Sequence, residues 1–213
     1  MIKFRSYSAW FLIVTTWVAT YLFFCSLAYG QILNQDEEMQ VHNLPALLAR
    51  SHDPSDILLT SLDTAFHDRE ICCGKNSALE ESVQAADPKS LKDVASKLDG
   101  RHLLSDGRPI KVTAQYMALD AVNSGRLIRM ILDQHALLML WNSNLYVVHG
   151  IVYRWTASGV DPRSGSTVTM TVIHKFLLWD VRYSDSRREV VFDRETDDAS
   201  KIQGLLLVEA TLQ

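Results

Sequence analysis

The sequence predicts an α+β domain in which helices from the first part of the chain pack on one side of an antiparallel sheet formed by the last part. Apolar residues recur at helical spacing between residues 53 and 133. From residue 136 onward, runs rich in β-branched, aromatic and aliphatic residues alternate with short turn-like segments. Helices followed by strands, rather than alternating with them, are typical of this class and not of the parallel α/β folds.

Four helices are predicted before the sheet. They cover residues 53–66, 74–86, 90–98 and 118–133. The first begins at Asp53-Pro54-Ser55-Asp56, which supplies capping residues and an early proline. The second is stopped by Asp87-Pro88, the third ends at Gly100, and Gly125 weakens the middle of the fourth.

The strand pattern predicts an antiparallel meander over residues 136–179, with two further strands after it. Strands are expected over residues 109–116, 136–141, 145–155, 167–179, 189–192 and 204–211. Residues 142–144 and 158–166 have the composition of turns. Two charged stretches, residues 182–188 and 193–198, are expected to be solvated loops with local ion pairs that contribute little individually.

Residues 1–30 have the composition of a secretory signal. Lys3 and Arg5 precede an apolar stretch over residues 9–29, and Ala28-Tyr29-Gly30 offers small residues of the kind that signal peptidase requires. The alternative is an uncleaved anchor over residues 9–29, because about twenty apolar residues can span a bilayer. Both interpretations place the rest of the chain outside the cytoplasm, either secreted or periplasmic.

The charge balance and the length of the chain limit the expected partners and the expected number of domains. The 213-residue chain has 25 acidic and 21 basic residues, and loss of the signal would remove two basic and no acidic residues. An acidic protein of this kind is not expected to bind nucleic acid. We expect a flexible leader over residues 31–52 and a single domain over residues 53–213, which is long enough for one core.

One cysteine lies immediately before a predicted helix, in the segment Cys73-Gly74-Lys75-Asn76-Ser77-Ala78-Leu79. A helix start stabilises the thiolate, the form that acts as a nucleophile. The segment resembles the nucleophile motif of papain-like cysteine peptidases, and most closely the bacterial branch that includes bacteriocin-leader-processing peptidases and related effector proteases. The helical segment over residues 87–98 is also similar, and the resemblance covers most of residues 55–181. It implies a papain-like fold with Cys73 as the nucleophile and a peptide or protein as the substrate.

The resemblance also assigns two further positions. In that family a catalytic His opens a strand that reaches a Gly six positions later, and an Asp or Asn follows the next strand. Gly150 then places the His position at Asn144, and Asp180 follows the strand that ends at residue 179. A hairpin centred near Pro162 would set Asn144 opposite Asp180. Asn cannot take a proton from a thiol, so the general base of the family is missing.

Two histidines are candidates to replace that base. His149 lies on the opposite strand face from Asn144 and ~16 Å further along, at about 3.3 Å per residue. Its alternative is a partly buried residue beside His174. His135, just before the first strand of the meander, is a rival base or a surface residue at the end of the fourth helix.

Other candidates also have plainer alternatives. His67 would donate to an oxyanion where the family usually has Gln, or it would end the first helix in solvent. Asp180 would orient a base, or it would cap the loop after it. The adjacent Cys72 and Cys73 leave open a redox role and a role as small core residues.

The expected function is that of an exported thiol-dependent peptide-bond hydrolase or a catalytically impaired relative. The alternative is a non-catalytic peptide-binding or cell-surface-binding module that keeps the cleft. No metal or cofactor is expected, because the sequence contains neither a His-x-x-x-His nor a Cys-x-x-Cys pattern.

Overall fold

The computed structural model describes residues 36–40, 47–66, 78–119, 123–133, 135–183 and 188–213. Within these ranges the fold is α+β, as predicted, with four helices and eight strands in one antiparallel sheet. The helices are α1 (Pro54–Phe66), α2 (Ala78–Gln84), α3 (Leu91–Leu98) and α4 (Ser124–Leu132). The strands are β1 (Asp36–Gln40), β2 (Gly100–Leu103), β3 (Pro109–Met117), β4 (Ala136–Trp141), β5 (Asn144–Val160), β6 (Thr167–Trp179), β7 (Glu189–Asp193) and β8 (Ile202–Leu212). The sheet order is β2-β3-β8-β4-β5-β6-β7, and β1 pairs with β5.

The chain divides into two compact units. Of the described residues, 36–37 and 154–172 belong to one unit, and those that fall within 38–153 and 173–213 belong to the other. In the first unit, the turn between β5 and β6 is closed by the Asp161 amide, which donates to the Ser166 carbonyl at 2.9 Å. The midpoint of this turn lies between Arg163 and Ser164, slightly later in the chain than the predicted centre near Pro162.

The central strands of the second unit are buried on both faces. Alternate residues of β4, β5 and β8 belong to two separate apolar clusters, as the two-residue period of a strand requires. Leu138, Val147 and Leu206 pack in the cluster that contains α1, α2 and α3. Leu137 and Leu207 pack in the cluster that contains α4. The prediction that the helices cover one side of the sheet was therefore wrong for α4.

Helices α1, α3 and α4 each begin beside a side chain that caps the first turn. Ser90 caps α3 by accepting a hydrogen bond from the Asp93 amide, and Asn123 caps α4 by accepting one from the Gly125 amide. Asp53 accepts from the Ser55 amide at 2.8 Å at the start of α1. The fourth helix is shorter than predicted because Asn123 starts it later than residue 118.

Two strands were not predicted. β1 lies within residues 31–52, where a flexible leader was expected, and it forms by pairing with β5. A Cβ atom at Gly150 of β5 would lie 2.9 Å from the Met39 carbonyl oxygen, so glycine permits this close approach. Gly100–Leu103 forms β2 at the edge of the sheet by pairing with β3.

Candidate functional site

The β4–β5 connection begins the candidate site. Trp141 pairs with Asn144, so the loop contains only Asn142 and Ser143, and both have positive φ angles of 51° and 60°. This is the geometry of a type I′ turn, which joins two strands tightly and favours Asn and Gly. The turn fixes Asn144 as the first residue of β5.

Arg182 connects the two residues that the sequence singled out on neighbouring strands. Its Nε donates to Asp180 Oδ1 at 2.7 Å, and its second terminal nitrogen donates to Asp180 Oδ2 at 2.5 Å. Its other terminal nitrogen donates to Asn144 Oδ1 at 2.5 Å. Asn144 and Asp180 are thus joined through the guanidinium, which is the planar donor best matched to a carboxylate.

Asp180 also holds the turn that carries Arg182. Its Oδ1 accepts from the Arg182 backbone amide at 3.1 Å, and its own amide donates to the Arg188 carbonyl at 2.6 Å. The residue is only 3% exposed, so its charge depends on these bonds. The structure places Asp180 in the capping role that the sequence left as an alternative.

Tyr146 completes the cluster around the guanidinium. The Arg182 carbon Cζ lies 5.9 Å from the Tyr146 ring centre and 5.5 Å from that of Tyr183. Burial raises the pKa of Tyr146, and the negative charge of Asp180 adds to this effect. The hydrogen bond to Asp180 is the main cause of the raised pKa of Arg182. The cluster therefore keeps a cation, a carboxylate and a neutral phenol in contact.

A cavity of about 250 Å³ opens beside this cluster. Its polar walls come from the β4–β5 turn, from the start of α1, and from the segment before α3. The lining residues are His52, Pro54, Ile57, Pro88, Lys89, Leu140, Ser143, Asn144, Leu145 and Arg182. The ionisable side chains in this lining are all basic, whereas the apolar part consists of aliphatic side chains and two prolines. Such a mixture is typical of small-ligand sites.

His149 lies apart from this cavity lining. Its ring centre is 4.8 Å from that of Trp179, and its Nε2 is 3.7 Å from Glu189 Oε1. Nε2 is buried with no hydrogen-bond partner among the described residues. Burial lowers the pKa of His149 from 6.5 to about 4, although the charge of Glu38 opposes the shift. The neighbour of His149 is thus Trp179, while His174 pairs with Glu195 at 3.0 Å.

The remaining predicted residues divide into two groups. His67, Cys72 and Cys73 lie outside the described residues. His135 is described, and its Nε2 lies 3.5 Å from Glu209 Oε1, just before β4. Among the described candidates, the structure brings together Asn144 and Asp180, and it places His149 elsewhere on the sheet.

Sequence reasoning missed Arg182 and Lys89. Arg182 was assigned to a solvated charged loop, yet its side chain is only 18% exposed. An Asp two residues before an Arg is a local signal, since the carboxylate can bond both the backbone amide and the side chain. Nothing local indicates the second partner, Asn144, because 38 residues separate the two.

Two further properties concern only the described part of the chain. No cluster of three or more His, Cys, Asp or Glu side chains there could hold a metal ion. No helix there is both long enough and apolar enough to cross a membrane, and residues 9–29 lie outside that part.

Comparison of the chain with protein-family models, with curated proteins and with solved structures found no match.

Proposed function

We propose that this protein is an exported domain that binds peptides without cleaving them, a catalytically impaired relative of papain-like cysteine peptidases. The order of the chain supports this proposal, since a cysteine before a helix precedes the two neighbouring strands that carry Asn144 and Asp180. The signal-like composition of residues 1–30 supports the proposed secretion or periplasmic location.

The observation that carries the proposal is the Arg182 bridge. In a working peptidase of this type, a histidine at position 144 would accept the thiol proton and a carboxylate at position 180 would orient it. Asn144 cannot accept that proton, and both carboxylate oxygens of Asp180 bond Arg182. Arg182 therefore stabilises the arrangement without a base.

Binding is supported by what lies beside the bridge. The cavity of about 250 Å³ is lined by Asn144, Arg182 and the aliphatic side chains of Ile57, Leu140 and Leu145. Drug-sized ligands usually occupy about 300–1,000 Å³, so this cavity suits one residue of a longer peptide.

The proposal is tested with the purified protein and a pool of fluorescein-labelled decapeptides of random sequence. Anisotropy is expected to show saturable binding, and mass spectrometry is expected to show intact peptides. Lys89→Trp should fill the cavity mouth and weaken binding about 10-fold or more. The matched control is Lys97→Trp, at another exposed lysine outside the cavity lining, which should leave the affinity within about 2-fold.

Two results would reject the proposal. Peptide cleavage that disappears in a Cys73→Ala variant would make the protein an active peptidase. Equal binding by the Lys89→Trp and Lys97→Trp variants would show that the peptide site lies elsewhere.

A further inference from the structure

The cavity carries positive charge without a balancing carboxylate in its lining. Lys89 is exposed at its mouth, and no ion pair of its ammonium occurs within the described residues. Arg182 also lines the cavity, but its charge is already paired with Asp180, so Lys89 supplies the unpaired positive charge. A ligand that brings a negative charge would pair with the lysine without displacing an existing partner, so no ion pair has to be broken first.

The apolar part of the lining selects among anions. Ile57, Leu140 and Leu145 offer a surface that a fully hydrated inorganic phosphate cannot use. An organic carboxylate with an aliphatic neighbour satisfies both parts, because its charge meets Lys89 while its carbon atoms contact the leucines. The carboxylate can come from the end of a peptide or from an acidic side chain.

We propose that the cavity beside Lys89 and Arg182 recognises a carboxylate group that the bound peptide presents. This inference rests on the proposed function, peptide binding, and adds the chemical group that is recognised. Peptides that carry the carboxylate are selected over the same peptides with an amide in its place.

The test compares three pools of decapeptides, each labelled with an uncharged BODIPY dye that has no carboxylate, against the full protein. The first pool has free C-terminal carboxylates and no acidic residue, the second has C-terminal amides and no acidic residue, and the third has C-terminal amides with one internal Glu. The expected result is about 10-fold tighter binding of the first or the third pool than of the second. Preference for the first pool identifies the C-terminus as the source, and preference for the third identifies a side chain.

Charge-removing variants link the preference to the cavity. Lys89→Gln should reduce the preference to about 2-fold or less. Lys97→Gln removes the same charge outside the cavity lining and should retain the preference. Because both lysines are exposed, neither change is expected to affect folding.

The outcomes separate this inference from the proposed function. Equal binding of all three pools would overturn carboxylate recognition and leave peptide binding intact. If no pool binds, the proposed function fails, and N-acetyl-leucine is compared with N-acetyl-leucinamide by ligand-detected NMR. Saturable binding of the acid alone, lost in Lys89→Gln, would uphold carboxylate recognition, and its absence would overturn that too. Competition by inorganic phosphate as strong as by N-acetyl-leucine would also overturn it.

Discussion

In the candidate site, the Asp180–Arg182 pair is where replacing one side chain should change the free energy of unfolding most. Asp180 is 3% exposed, so its charge has lost most of its hydration and is compensated by the guanidinium. Removing one member of such a pair is much more costly than removing both, because a buried charge without a partner remains. This asymmetry gives a test of whether the bridge exists in solution.

Arg182→Met is expected to lower the free energy of unfolding by about 3 kcal/mol, since Asp180 would keep its burial and lose its cation. The double variant Arg182→Met with Asp180→Leu should recover at least about half of that loss. Urea unfolding of the single and double variants measures both values. Arg129→Met, at an exposed arginine of α4, is the matched control and should change the free energy by less than about 0.5 kcal/mol.

His149 predicts a different dependence, on pH. Its folded-state pKa of about 4 lies below the ordinary 6.5, so the unfolded chain binds the proton more tightly. The contribution of His149 to stability is thus complete above pH 6.5 and is lost as the pH falls from about 6.5 to about 4. Two carboxylates lie near the ring. The charge of Glu38 opposes the lowering of the pKa, and Glu189 Oε1 lies 3.7 Å from His149 Nε2.

The loss should amount to about 2–3 kcal/mol, at about 1.4 kcal/mol for each pKa unit. It is measured as the difference in unfolding free energy between pH 7 and pH 4, relative to the same difference in a His149→Leu variant. His52→Leu, at an exposed histidine, should retain the pH dependence of the unchanged protein. Identical pH profiles for His149→Leu and the unchanged protein would contradict burial of a neutral imidazole.

Among the elements, the turn between β4 and β5 combines tight geometry with an unusual residue. Ser143 has a φ of 60°, and a residue with a Cβ atom pays a steric cost of about 1 kcal/mol in that conformation. Asn142 tolerates its own positive φ better, because Asn is common in the left-handed region. Ser143 also lines the cavity.

Ser143→Gly is expected to raise the unfolding free energy by about 0.5–1 kcal/mol, because relief of the strained φ exceeds the entropic cost of glycine. The measurement is the urea midpoint at constant slope. Ser105→Gly, in the turn before β3, provides the control: Ser105 does not have a positive φ, so the same change should be neutral or destabilising. A destabilised Ser143→Gly protein would rule out strain at this turn.

The elements also show how far sequence patterns reach. The hairpin strands and α1 and α3 were predicted within a few residues because caps, turn residues and apolar periodicity are all local signals. β1 escaped because Asp36-Glu37-Glu38-Met39-Gln40 has no alternation, and its strand conformation comes from pairing with β5. Arg182 escaped for a similar reason, since its bond to Asn144 joins residues that are distant in sequence.

At the scale of the whole molecule, the second unit is organised by a sheet covered on both faces. The sequence contains the signal for this, because Leu205-Leu206-Leu207-Val208 is apolar at every position. A continuous apolar run in a strand indicates two buried faces, whereas alternation indicates one. The prediction that α4 lies on the same side of the sheet as the other helices depended on the order of helices and strands along the chain. The strand pattern indicates instead that both sides of the sheet are covered.

Strand β8 contributes alternate residues to both clusters. Loss of packing in one cluster would therefore displace β8 and disturb the packing of the other cluster. The two faces should therefore unfold together.

Leu62→Ala removes a fully buried side chain of α1 and should lower the free energy of unfolding by about 2–5 kcal/mol. The same loss should appear in amide hydrogen exchange of α4, on the opposite face, since both helices would open in one transition. Leu132→Ala, at a leucine of α4 that is 60% exposed, should change either measurement by less than about 0.5 kcal/mol. If Leu62→Ala speeds exchange in α1 alone, the clusters are independent, and the sheet does not couple the cavity on the side of α1 to the opposite face.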